Sequence, residues 1–112
     1  MERKLERLLT ITFDFSIEII NLCKVLVEKN HSFFSKPLFQ SATKMGVNIN
    51  EAIEHQTNRT YLAKLATASN EAEETLYWLR RIDRDQLIPA DMHIYIDHCE
   101  QILQQINSAT QT

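Results

Sequence analysis

Residues 38–53 read LFQSATKMGVNINEAI, and within them Leu38, Ala42, Met45, Ile49, Ala52 and Ile53 recur at steps of four, three, four, three and one. A helix of 3.6 residues per turn brings such positions onto one face, whereas a strand would scatter them over both. The spacing is heptad-like, so the segment is expected to lay a narrow apolar seam against neighbouring helices. Gly46 falls inside this seam helix, where it costs roughly 1 kcal/mol against Ala. A close backbone approach by a neighbour is the reason expected for it.

Working outward toward the N-terminus, a first helix is expected from about Lys4 to Lys29. Its stripe is Leu5, Leu8, Leu9, Thr12, Phe15, Ile19, Leu22, Cys23, Leu26 and Val27, and at 1.5 Å per residue it spans roughly 40 Å. Asn30, His31 and Ser32 end it. Ser35 before Lys36 and Pro37 reads as an N-cap with proline in the first turn, so the seam helix is expected over Lys36 to His55. Toward the C-terminus, Thr57 or Asn58 is the expected cap of a third helix carrying Leu62, Leu65, Ala66, Ser69, Ala72, Leu76, Leu79 and Ile82. Asp83 to Ala90, with Pro89, is the third connection. A fourth helix follows, with Met92, Tyr95, Ile96, Cys99, Ile102, Leu103 and Ile106 on one face and a frayed tail from Ser108 to Thr112. Four amphipathic helices on short turns bury their stripes most simply as an all-α, antiparallel up-and-down four-helix bundle, a single domain over residues 1–112.

Composition points the same way. One Gly and two Pro in 112 residues leave little material for tight β-turns or glycine-rich phosphate loops. The charged N-terminus, with Asp14 and Glu18 soon after it, fits neither a signal peptide nor a membrane span, which implies a cytoplasmic protein with no membrane partner. Cys23 and Cys99 lack any paired spacing and are expected as free, buried thiols. Net charge is −3, split as seven Lys/Arg against five Asp/Glu in residues 1–50 and five against ten in residues 51–112. The balance argues against a strong general nucleic-acid binder and leaves room for one basic and one acidic surface in an assembly.

Each catalytic pattern falls short. A di-iron bundle needs Glu-x-x-His on two helices, but Glu51 is followed three residues later by Glu54, and Glu71 and Glu74 have no histidine near them. His93 and His98 are five apart and diverge on a helix. Cys99 beside His98 cannot form a base-activated pair, because consecutive helical side chains point about 100° apart. No catalytic residue, metal site or cofactor is therefore expected, and the protein is read as a non-enzyme. Two polar constellations remain. Asn48, Glu51, Glu71 and Glu74, with Asn50, read as a structural polar network fixing helix register, or else as a ligand site. Arg80, Arg81 and Arg84, interleaved with Asp83 and Asp85, read as a solvated helix end or as a phosphate-binding patch.

From Ser41 to Ile82 the chain reads SATKMGVNINEAIEHQTNRTYLAKLATASNEAEETLYWLRRI, and this stretch resembles the four-helix-bundle family named after the 23S ribosomal RNA intervening-sequence protein. Gly46, Asn48, Glu51 and Ala52 match a Gly-x-Asn-x-x-Glu-Ala stretch of that family. Glu71, Ala72, Glu74, Thr75, Tyr77, Trp78 and Leu79 match its Glu-Ala-x-Glu-Thr-x-Tyr-Trp-Leu stretch. The resemblance implies a non-enzymatic bundle that assembles with itself as a homopentameric ring. The family includes the accessory variability determinant of diversity-generating retroelements, a basic pentamer, which implies a reverse transcriptase and RNA or DNA as partners. On that reading the candidate nucleic-acid-binding residues are Lys44, Arg59, Lys64, Arg80, Arg81 and Arg84. The alternative is a protein-only scaffold.

Overall fold

The seam first read in residues 38–53 is buried along its length: Leu38, Met45, Ile49 and Ala52 are closed to water, Ala42 nearly so, and Ile53 packs at its margin. The computed structural model describes residues 2–55 and 59–110, with side chains from residue 4 onward. Within them the helices are α1 (Glu2–Glu28), α2 (Ser32–Glu54), α3 (Arg59–Arg84) and α4 (His93–Thr110). α2 packs on α1 and α3, and α4 packs on α1 and α3, while the diagonal pairs make no close approach. That square arrangement, with short connections forcing neighbours antiparallel, is the expected up-and-down bundle. It measures 45 × 20 × 18 Å. Among the described residues no helix is long and apolar enough to cross a membrane.

One core runs through the bundle. Phe15, Ile19 and Leu26 from α1, Leu65, Leu79 and Ile82 from α3, and Cys99, Ile102 and Ile106 from α4 close around the α2 seam. Each such Leu, Ile or Phe stabilises the fold by about 1.5–3 kcal/mol relative to exposure. Polar atoms admitted to this interior are partnered. Thr75 Oγ1 lies 2.8 Å from both Ser41 Oγ and the Glu71 carbonyl, and Ser41 Oγ lies 3.2 Å from the Leu38 carbonyl. One hydroxyl donates to the other, and the second then donates to a carbonyl of its own helix, so α2 and α3 are tied by a relay.

A chain nearly without glycine must end its helices by other means. α1 closes with Asn30 at φ 67°. His31 N–H donates to the Leu26 carbonyl over 2.7 Å and Asn30 N–H to the Val27 carbonyl over 3.0 Å, the paired bonds of a Schellman motif. α3 repeats the device with Gln86 at φ 50°, Leu87 N–H on Ile82 at 3.2 Å and Gln86 N–H on Asp83 at 3.1 Å. α4 starts where the Asp91 carboxylate accepts the His93 N–H over 3.0 Å.

Several expectations are corrected. α2 begins at Ser32, not Lys36, so Pro37 lies inside the helix and Ser35 is not its cap. Ser35 is buried instead, its Oγ donating to the Cys23 carbonyl and its own carbonyl accepting the Cys23 thiol, each over 3.5 Å. Both cysteines are free and buried, as expected. Val27 is exposed. In the first half of α3 Leu65 faces the core as expected, but its companions are Tyr61 and Ala68, while Leu62 and Ala66 face water and Ser69 is half-buried. α4 continues to Thr110, and Ala109 is buried where a frayed tail was expected. A Cβ on Gly46 would meet Thr12 Cγ2 at 3.7 Å and Ser16 Oγ at 3.9 Å. Those are ordinary contacts, so a close backbone approach is not what the glycine serves. The expected cap at Thr57 or Asn58 lies outside the described residues.

Candidate interaction surfaces

Arg80, Arg81 and Arg84 come together at the C-terminal end of α3, where with Glu73, Leu76, Tyr77 and Leu103 they line an open groove of about 510 Å³. Each is already engaged. Arg80 pairs with Glu100 of α4 at 3.0 Å, Arg84 with Asp85 at 3.0 Å, and Arg81 with Asp85 at 3.5 Å. Arg81 also donates to Tyr77 Oη over 3.0 Å and lies over the Phe34 ring at 5.6 Å. The hydrogen bond from Arg84, with the charges of Arg84 and Arg81, holds the Asp85 carboxyl below its ordinary value. These contacts make the arginine cluster a set of local ion pairs on a helix end more than an open cationic patch.

The six candidate phosphate contacts do not form one surface. Lys64 sits 16 residues before Arg80 on α3, about 24 Å down the axis, and pairs with Glu51 of α2 at 2.7 Å. Arg59 lies at the start of α3 and Lys44 midway along α2; among the described residues neither pairs with a carboxylate. The polar network is likewise dispersed. Asn48 donates to the Lys44 carbonyl of its own helix at 2.8 Å, Asn50 to Glu54 at 3.3 Å, and Glu74 accepts from Trp78 Nε1 at 3.1 Å. Glu71 offers its backbone carbonyl to Thr75. Only Glu51 reaches a neighbouring helix. The buried polar tie between α2 and α3 is Ser41 with Thr75, which spacing alone did not single out.

The groups that could carry chemistry are engaged in packing. Cys99 is enclosed, donates to the Ala72 carbonyl over 3.4 Å, and has its thiol pushed up to about 12 by burial. His98 turns away from it and meets both carboxylate oxygens of Glu18 at 2.9 and 3.1 Å, joining α4 to α1. Among the described residues no three His, Cys, Asp or Glu side chains cluster as a metal site would require.

The surface that stands out is apolar. Between α1 and α2 runs a long groove whose lower part, about 690 Å³, is lined by Leu9, Phe13, Ile20, Phe39, Gly46 and Val47, among others. Its upper part, about 490 Å³, continues past Ile20 and Phe39 to Cys23 and Val27. Phe13 is 66% exposed and Val47 50%. Gly46 lacks the side chain that would raise the groove floor. The signal for this surface is present in the sequence as a second apolar stripe on α1, Phe13, Ile17 and Ile20, offset from the core stripe.

A second exposed apolar feature crosses α2 and α3, where Phe33, Phe34, Tyr77 and Trp78 interlock edge to face with ring centroids between 5.1 and 6.3 Å apart.

The sequence matches the family model of the 23S rRNA-intervening sequence protein over residues 7–108. The fold matches a crystal structure of a protein of unknown function from the S23 ribosomal protein family of Bacteroides thetaiotaomicron. That match has 31% identity and a TM-score of 0.91, over 97% of this chain and 99% of the other. No curated protein matches the chain.

Proposed function

We propose, from the premise that this chain belongs to the 23S rRNA-intervening sequence protein family, that it is a non-enzymatic accessory protein that works by assembly. Copies join as a homopentameric ring, and the ring docks a nucleic-acid enzyme, a reverse transcriptase, and holds RNA or DNA beside it. The observation that carries the reading is the set of large apolar side chains left in water although the core is complete. Phe13, Ile20, Phe39 and Val47 share one groove, a contiguous surface of the kind that marks protein association. The engaged state of Cys99 and His98 supports the non-enzymatic part.

The test is a retention assay with purified protein, alone and with a reverse transcriptase encoded beside its gene. The reading expects co-elution and nucleic-acid retention that weakens steeply with salt. Neither protein nor nucleic acid being retained would refute it. The ion pairs on Lys64, Arg80, Arg81 and Arg84 favour a second reading, a protein-only scaffold. Charge reversal of those four with Lys44 and Arg59 separates the two, since the scaffold keeps its partner and its function.

A further inference from the structure

Across the square bundle from the apolar α1/α2 groove lies the α3/α4 side, so a cover over the first leaves the second open. The α3/α4 groove of about 510 Å³ runs along one face of α3, where Glu73, Tyr77, Arg80 and Arg84 follow one another at steps of four, three and four. Its floor is Leu76 with Leu103 of α4. An apolar centre inside a charged rim is the anatomy of an interface with a partner that comes and goes, whereas permanent contacts are more uniformly apolar.

The rim has a direction. Arg80 and Arg84, one turn apart, stand at one end, and Glu73 at the other, eleven residues before Arg84 and about 16 Å down the axis. The ion pairs of the two arginines leave most of their donors unused. Arg80 gives one hydrogen bond, from Nη2 to Glu100, and Arg84 one, from Nε to Asp85. Among the described residues neither guanidinium has another acceptor, although each carries five N–H groups. The two side chains are 58% and 69% exposed, and an ion pair in that setting gains little in water, so an incoming acid can join it or take its place. Arg81 differs. Tyr77 Oη, Asp85 and the Phe34 ring hold it, and it in turn fixes the Tyr77 ring as a wall of the groove. Glu73 has no partner among the described residues.

Two exposed arginines one turn apart suit a carboxylate or a phosphate, and the rest of the groove chooses between them. A nucleic-acid strand carries a phosphate at every nucleotide, and here successive phosphates would pass over Leu76 toward the Glu73 carboxylate, with Asp85 and Glu100 beside the arginines. A peptide changes its chemistry from one residue to the next, and about five extended residues cover the distance.

We infer that the α3/α4 groove docks a short segment of a partner protein in which an apolar side chain, seated over Leu76 and Leu103 beside Tyr77, lies between an acidic group on Arg80 and Arg84 and a basic group facing Glu73. The inference rests on the protein-docking part of the reading above and adds the surface and the chemistry of the docked segment.

A random-peptide display library panned on the wild-type protein tests it. Enriched peptides are expected to carry an acidic residue about two to four positions from a large apolar one, with a basic residue on the other side of the apolar residue. Fluorescence anisotropy of a labelled enriched peptide should show affinity weakened at least about tenfold by Arg80→Glu with Arg84→Glu, and less than about twofold by Lys44→Glu on α2. All three side chains are exposed, so circular dichroism and light scattering should match wild type. Arg80→Ala with Arg84→Ala takes the place of the reversed pair if that fails to fold. Glu73→Lys should abolish the preference for the basic residue and keep that for the acidic one. No enriched motif, a motif indifferent to the two arginines, or an oligouridylate that binds through them in place of acidic peptides overturns the proposal. A reverse transcriptase encoded beside the gene that co-elutes equally with wild type and the double variant overturns the choice of groove alone. One that co-elutes with neither, while the peptide still binds, overturns the reverse-transcriptase reading and leaves the groove assigned.

Discussion

The outer seams α3/α4 and α1/α2 are built on the same core and finished in opposite ways. Along α3/α4, polar pairs bridge the helices: Arg80 reaches Glu100 at 3.0 Å, and Ser69 reaches Asn107 at 3.2 Å. Along α1/α2 the outward residues include the large apolar Phe13, Ile20, Phe39 and Val47, with Lys24, Glu28, Lys36, Thr43 and Asn50 at the margins, and Cys23 and Ser35 tie the helices at the upper end. A seam meant to face water is covered with groups that water satisfies. The other carries large apolar side chains in water, and it is the face that the proposed assembly would cover.

That contrast can be broken by experiment, starting where the effect is largest. Leu65→Ala, in the core beneath both seams, should cost about 2–5 kcal/mol in chemical denaturation. A loss below about 0.5 kcal/mol would place Leu65 on the surface. Next comes alkaline pH. The Cys99 thiol beneath α3/α4 titrates near 12 instead of 9.0 because it is buried. The unfolded chain loses that proton first, so this contribution is fully present below pH 9 and is lost as pH rises toward 12. Cys99→Ala should flatten the part of the decline that wild type owes to this thiol, and equal alkaline slopes would contradict it.

On the α1/α2 side, Gly46→Ala should raise the melting temperature by an amount equal to up to about 1 kcal/mol. Helix propensity improves and the new Cβ meets Thr12 and Ser16 at ordinary distances; destabilisation would mean that the groove floor has no room for a methyl group. The smallest effect belongs to the polar seam. Arg80→Ala should change stability by less than about 0.5 kcal/mol, since an exposed ion pair gains little in water.

How much of this was legible in the sequence depends on whether the deciding contacts are local. The seams of α2 and α4 follow from periodicity because their apolar residues are large and regularly spaced. In the first half of α3 Leu65 is legible as a core position, but Leu62, Ala66 and Ser69 keep helical spacing as well as Tyr61 and Ala68 do, and small residues give the pattern little weight. The start of α2 was misplaced because Ser35 before Pro37 imitates a capping signal. The turn is in fact made by Asn30 in the left-handed region, with Ser35 bonded to α1.

The arginine cluster could be seen in the sequence but not its neutralisation, because Glu100 and Glu51 arrive from other helices. The apolar groove is hard to see in the sequence because Val27 keeps the spacing of the α1 core stripe, and the offset stripe Phe13, Ile17 and Ile20 is as apolar as a core face.

The central claim is that this apolar seam exists to be covered by another copy. Multi-angle light scattering of the wild-type protein tests it most directly. A mass near five times 13.1 kDa is the predicted result, whereas a particle that stays at 13.1 kDa at about 100 μM, above the range of ordinary specific association, would contradict it.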